Sequence, residues 1–287
     1  MAQVALPVRR RWGQTSRRDS WWSQPLTVFL VLSAFLVYAN VRVFEGDHYF
    51  SGHAPQPARY ISNYLTPFYS PLMYDAPARA AQSGPSGHAW LGAKPAWIPS
   101  FVSAAALILI FPAGFRFTCY YYRGAYYKAF WQDPPSCAVG EPRNEYRGEA
   151  KWPLLIQNIH RYFMYFAVVF LFILGYDAWH AFWFKEALPA GEAKWHFGVG
   201  VGSLVLLLNV VLLTGYTLGC HSLRHLVGGS FDEVSKMPLR EKMYCGVTCL
   251  NGKHMLWAWL SLVWVAFSDV YVRMVASGAW TDVHFVF

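Results

Sequence analysis

Charge is scarce in this chain: 14% of its 287 residues are Asp, Glu, Lys or Arg, against 55% hydrophobic and 18% aromatic. With a mean hydropathy of +0.22, that excludes an ordinary soluble domain, in which about a quarter of the residues are charged. Acidic residues are scarcer than basic ones, 16 against 24, giving a net charge of +8. The basic residues sit in blocks beside apolar segments rather than on one polar face, so membrane topology explains them and no nucleic-acid partner is expected. Cysteine is limited to five, an odd number. None falls in a stretch expected to face outward, which excludes a disulfide framework and leaves ligands or buried thiols. Transporter-like internal repeats are also lacking.

What is present is a set of long apolar runs. The basic N-terminus, 1–24, carries Arg9, Arg10, Arg11, Arg17 and Arg18. No small-residue cleavage site follows it, so the run 25–44 reads as a retained first span rather than a signal peptide, with Trp21 and Trp22 at headgroup level. A polar insertion at 45–96, punctuated by Pro and Gly, predicts a compact external cap or short re-entrant turns. Further spans are expected at 97–122, 154–184, 196–225 and 253–279, each long enough for a hydrocarbon core of about 30 Å. The connections are 123–153, 185–195 and 226–252, with a tail at 280–287. The expected fold is therefore an all-α membrane protein, a bundle of five transmembrane helices with an external polar insertion between helices 1 and 2. Lys and Arg concentrate in the N-terminus and in the 123–153 and 226–252 loops. The N-terminus is thus expected in the cytoplasm of a bacterial cell, and the protein in its plasma membrane as a multi-pass chain.

In this topology four spans carry a Cys or His at one depth near their cytoplasmic ends: Cys119, His160, Cys220 and His254. Ionisable groups inside a membrane are costly and usually have a partner or a function. Two thiols and two imidazoles form the ligand set of a Rieske-type [2Fe–2S] centre, and equally that of a closed structural zinc site. Any one of these cysteines alone reads as a packing residue; it is the convergence of four that points to a metal. His221 and His225, four apart on one helix face, are alternatives to His254. Cys137, Cys245 and Cys249, placed in loops, are alternative thiolates. Asp177, Asp269 and Arg273 fall about 20 Å or more from this layer, and Asp269 with Arg273 reads as an i, i+4 ion pair at the outer end.

The strings Thr118-Cys-Tyr-Tyr-Tyr-Arg123, Gln157-Asn-Ile-His-Arg-Tyr162, Tyr216-Thr-Leu-Gly-Cys-His-Ser-Leu-Arg-His225 and Asp269-Val-Tyr-Val-Arg-Met-Val-Ala-Ser-Gly278 resemble the single-chain membrane anchor of mycobacterial-type (type F) succinate dehydrogenase. The resemblance runs through all five spans. It implies a respiratory complex II in which an FAD-containing flavoprotein subunit oxidises succinate and an iron–sulfur subunit carries the electrons. The anchor then passes them to membrane quinone, menaquinone or ubiquinone, through an embedded Rieske-type cluster. Dicarboxylate chemistry would belong to another chain, so no catalytic residue for it is expected here. A higher homo-oligomer is left open.

One turn deeper than the ligands, helical spacing places Phe115, Arg116, Phe163, Met164, Tyr216 and Trp257. Arg116 and Tyr216 are the candidates to hydrogen-bond a quinone carbonyl, and Trp257 to pack on its ring; the alternatives are a snorkelling arginine and ordinary aromatic packing. Two other readings of the chain stay open. One is a haem b-bearing fumarate reductase anchor, with His160 and His254 or His221 on an inner haem and His180 and His196 on an outer one. The other is a non-redox scaffold or transporter.

Overall fold

A computed structural model describes residues 20, 22–53, 59–75, 88–99, 102–122, 151, 155–186, 194–229 and 237–287. It is mostly helical. Helix α1 (Ser23–Glu45) runs its full apolar length and ends at Gly46, whose positive φ of 67° supplies the left-handed C-cap that a residue without Cβ adopts readily. The long helix α6 (Val201–Leu218) packs against both α5 (Leu155–His180) and α9 (His254–Ala276). Among the described residues four helices are long and apolar enough to cross a membrane: Ser23–Glu45, Asn158–His180, Val201–Leu218 and His254–Ala276.

The expected span 97–122 is different. It is a broken series, α2 (Ala104–Ile108), α3 (Ile110–Phe117) and α4 (Tyr120–Tyr122), interrupted at Leu109 and again at Thr118 and Cys119. Ser103 caps α2 by accepting from the Ala105 N–H, the usual way an exposed first-turn amide is satisfied. The expected span 196–225 is also divided. It begins as a strand, forms α6, breaks at Gly219–Cys220 and resumes as α7 (His221–Gly228). The stretch holding Cys245 and Cys249, expected as a loop, is helix α8 (Pro238–Gly252), entered through Pro238 at its first turn and packed on α7. Cys137 lies outside the described residues.

A small antiparallel sheet accompanies the mostly helical fold. Strands β1 (Tyr60–Ile61), β2 (Trp183–Glu186), β3 (Lys194–Gly200) and β4 (His284–Val286) form it in the order β1-β2-β3-β4. β1 comes from the polar insertion, β2 and β3 from the α5–α6 connection and β4 from the C-terminal tail. Those three segments therefore share one end of the bundle. The insertion itself is a packed cap, with Tyr64, Leu65, Phe68, Tyr69, Leu72 and Tyr74 buried and Tyr49 stacked on Tyr69 at 4.7 Å.

Three buried carboxylates pin this end. Asp282 accepts from the Tyr64 hydroxyl (2.7 Å), the Tyr271 hydroxyl (2.7 Å) and the Gly202 N–H (3.0 Å), tying the tail to the start of α6. Asp177 accepts from the Ser70 hydroxyl and faces His88 Nδ1 at 3.1 Å, while His88 Nε2 lies 2.9 Å from Asn63 Oδ1. Asp269 accepts from the Tyr38 hydroxyl (2.6 Å) and from Arg273 Nε (2.8 Å), the ion pair expected from the i, i+4 spacing. Arg273 also reaches Glu45 at 3.1 Å, so α1 and α9 are joined.

Candidate metal centre

At the opposite end the four expected ligands come together as two couples. His160 Nε2 lies 3.1 Å from Cys220 Sγ, and His254 Nε2 lies 3.6 Å from Cys119 Sγ. Both thiols and His160 are buried. Each thiol sits in a helix break, Cys119 after Thr118 and Cys220 after Gly219, and His254 is the first residue of α9. The break before Cys220 depends on close approach. A Cβ on Gly219 would stand 2.7 Å from the Gly215 carbonyl oxygen and 3.2 Å from the Leu250 backbone, too near for any other residue. Asn251 Nδ2 donates to the Gly219 carbonyl at 2.8 Å, holding α8 against the break.

The hydrogen bonds fix a tautomer. The Thr118 hydroxyl spends its one proton on the Gly114 carbonyl at 2.7 Å. Its oxygen, 2.8 Å from His160 Nδ1, must therefore accept, which places the imidazole proton on Nδ1 and leaves the Nε2 lone pair facing Cys220. Metal-ligating histidines are held in this manner by their other ring nitrogen. Phe115 stacks on His160 (4.6 Å, 8° between planes) and Tyr216 on His254 (5.1 Å, 16°).

The three residues expected at a quinone line the wall next to this layer. Arg116 lies over the Tyr216 ring with its guanidinium carbon 4.6 Å from the centroid. It donates to the Tyr122 hydroxyl (2.6 Å), to Ser261 Oγ (2.8 Å) and to the Ala258 carbonyl (3.4 Å). Gly215 faces the Trp257 ring so closely that a Cβ there would meet it at 2.7 Å. Six buried side-chain polar atoms lack a hydrogen-bond partner among the described residues, and three are here: Tyr216 Oη, His254 Nδ1 and Trp257 Nε1. The Tyr216 hydroxyl stands beside the Cys119 thiol without a bond of good geometry.

Buried polar atoms are nearly always paired, so this concentration fits a site built to receive a further group. The donor set fits an iron–sulfur centre of mixed ligation. Among the described residues no three acidic, His or Cys side chains converge tightly enough for a single ion.

Of the alternative ligands, His221 adjoins Cys220 and lies within electrostatic reach of His160 and His254, but it turns to the exposed side. His221 and His225 face each other, with their Nε2 atoms 2.9 Å apart on the exposed side of α7. Cys245 and Cys249 are exposed on α8. The outer haem pair is not assembled: His180 packs against Tyr176 and His88. His196, on a strand instead of a helix, pairs with Glu186 at 2.9 Å and contacts Tyr60. Thr118, missed by the sequence reading, could have been found as the hydroxyl preceding a candidate cysteine.

Among functionally curated proteins, none matches the chain closely enough to count as a relative. Among solved structures, the Mycobacterium smegmatis Sdh1 complex in the apo form contains a chain 41% identical to this one, superposing with a TM-score of 0.75 over 98% of each chain. Residues 23–278 match the family described as the actinobacterial succinate dehydrogenase subunit SdhC. With multiple apolar spans, a buried Cys–His layer and this match along nearly its whole length, the chain belongs to that family and is a membrane anchor subunit of succinate dehydrogenase.

Proposed function

We propose that this subunit carries electrons from an iron–sulfur subunit to membrane quinone through a Rieske-type [2Fe–2S] cluster held by Cys119, His160, Cys220 and His254. The observation that carries the reading is the pairing of two thiols with two imidazole Nε2 atoms in one buried layer contributed by four separate stretches of chain. Such a cluster supplies one-electron transfer at a potential raised by its imidazole ligands. The chain's own residues do the rest. Thr118 keeps His160 in the tautomer with a free Nε2. The helix breaks turn both thiols into the layer, and Phe115 and Tyr216 pack the imidazoles from one side and exclude water. The fixed charge of Arg116, shared with Tyr122 and Ser261, offsets negative charge arriving in the layer.

Trp257 and Tyr216 offer unpaired N–H and O–H groups beside Arg116 for a quinone carbonyl. Because Tyr216 is only 1% exposed, the quinone approaches from the half-buried Trp257 side. The partners in this reading are the FAD-containing flavoprotein and the iron–sulfur subunit, which docks on the end holding α7 and α8. The excess of Lys and Arg in the N-terminus and in the 123–153 and 226–252 connections supports a cytoplasmic position for that end.

The test is electron paramagnetic resonance of the purified complex, oxidised and then reduced, with an optical spectrum of the same sample. A Rieske-type signal on reduction that disappears in Cys220→Ala and in His254→Ala is the expected result. Low-spin haem signals with matching optical bands would replace the cluster by haem b. A reduced complex with neither signal would leave the layer as structural.

A further inference from the structure

Antiparallel sheets that lie on a core and face water alternate apolar-in and polar-out. The four-stranded sheet at the capped end reverses this. Alternation along β3 puts Trp195, Phe197 and Val199 on one face and His196, Gly198 and Gly200 on the other. The register extends the first face to Trp183 and Lys185 of β2, opposite Phe197 and Trp195, and to Phe285 of β4, opposite Val199. The second face is the packed one. Phe184 is buried there and stacks on His284, and His196 bonds Glu186.

The apolar face is the open one, with Trp195 47%, Phe197 39% and Phe285 71% exposed. Phe287, 78% exposed, joins it: its N–H donates to the Phe197 carbonyl and its ring stacks on Phe197 at 6.5 Å. Of the residues named on this face, Lys185 alone is charged.

The face is continuous with the outer surface of a membrane-spanning helix. Phe172, Tyr176 and Trp179 are exposed along one stripe of α5, spaced as neighbours on one helix face. Trp179 meets Trp183 at 6.3 Å, and Trp183 meets Phe197 at 5.8 Å. An unbroken row of rings thus passes from the lipid-facing side of α5 onto the sheet.

We infer that this sheet face is a lipid-contacting plate. It lies on the bilayer at the boundary of headgroups and acyl chains, with Trp183, Trp195, Phe197, Phe285 and Phe287 sunk into that boundary and Lys185 reaching a lipid phosphate. Indoles favour that level, an apolar face beside a cationic side chain suits it, and lysine stems extend along such surfaces. The inference rests only on α5 spanning the membrane, and it stands or falls independently of the metal centre.

The test places a photoreactive benzoylphenylalanine at Trp195 or Phe285 in the complete complex in native membranes. The same probe at Phe172 on α5 is the lipid-facing reference. Phospholipid adducts at 195 and 285, in yields comparable to that at 172, are the expected outcome. An adduct with the mass of a second copy or of another subunit would assign the face to a protein partner and overturn the inference. The absence of adducts at 195 and 285, with labelling retained at 172, would put the face in water and also overturn it. Hydroxyl-radical footprinting of the unmodified complex in nanodiscs needs no variant. Trp195 and Phe285 should escape oxidation, and oxidation at both would contradict the plate.

Discussion

The two ends of the bundle treat their buried ionisable groups differently, although the cap also leaves the buried Thr66 hydroxyl without a partner among the described residues. At the capped end Asp177 and Asp282 are buried but fully engaged, by Ser70 and His88 and by Tyr64, Tyr271 and the Gly202 N–H. Asp269 has two donors on Oδ2 and only its Oδ1 unpaired. At the other end the thiols and imidazoles have mainly each other, His254 Nδ1 is unpaired, and Tyr216 Oη and Trp257 Nε1 beside them have no partner among the described residues. Saturated networks rigidify a fold, whereas under-satisfied ones are carried where a ligand or reaction repays the cost. The capped end is the clamp, and the thiol–imidazole end is the working site.

Substitutions can break this contrast. The largest effect is expected for Cys220→Ala. It should abolish the iron–sulfur signal and quinone reduction while leaving the thermal transition of the complex within a few degrees; retention of the signal would move the centre elsewhere. Next is Asp269→Ala, which takes from Arg273 its buried partner and leaves it the partly exposed Glu45, at a cost no greater than the about 3–5 kcal/mol of a broken buried pair. A calorimetric scan should show strong destabilisation with the paramagnetic signal of surviving complex unchanged. Thr118→Val keeps shape but removes the acceptor for the His160 Nδ1–H. Cluster occupancy should fall by about 10–100-fold in apparent affinity, read as iron content after graded chelation, with assembly intact.

Ser70→Ala removes one donor from Asp177 and should cost about 1.5–3 kcal/mol, visible as a lowered melting temperature alone. The smallest effect concerns Glu186. The hydrogen bond from His196, then that from Arg59, holds its carboxyl below the ordinary range. A depressed carboxylate contributes stability above its unfolded pKa of about 4.3 and loses it as pH falls through the folded value. Glu186→Gln should therefore remove a small contribution at neutral pH and flatten the acid limb, so that the two stability profiles converge as pH falls through the folded value.

Much of this was legible in the sequence. Apolar run length gave α1, α5 and α9 nearly to their ends, and the shared depth of Cys119, His160, Cys220 and His254 brought together four residues far apart in the chain. Three things were hidden. The run 97–122 is apolar enough to read as one helix; Pro112, which cannot donate to the Ile108 carbonyl, signals a kink close to the break at Leu109, whereas nothing in the hydropathy marks the break at Cys119. The sheet escaped because its outward face is as apolar as its inward one. The stretch Trp183–Glu186 therefore looked like the end of a span and Lys194–Gly200 like the start of the next. Helix α8 was missed because it buries none of its residues and so has no apolar stripe for periodicity to reveal.

The position of one proton bears on how the subunit is made. Since Thr118 commits the His160 proton to Nδ1 through bonds within the chain, that imidazole is in its ligating form as soon as α3 and α5 have met. In the proposed reading, filling the layer would draw protons from the thiols and none from this histidine. Maturation becomes a matter of thiol deprotonation and metal delivery, and the histidine side needs no rearrangement after the chain is in the bilayer.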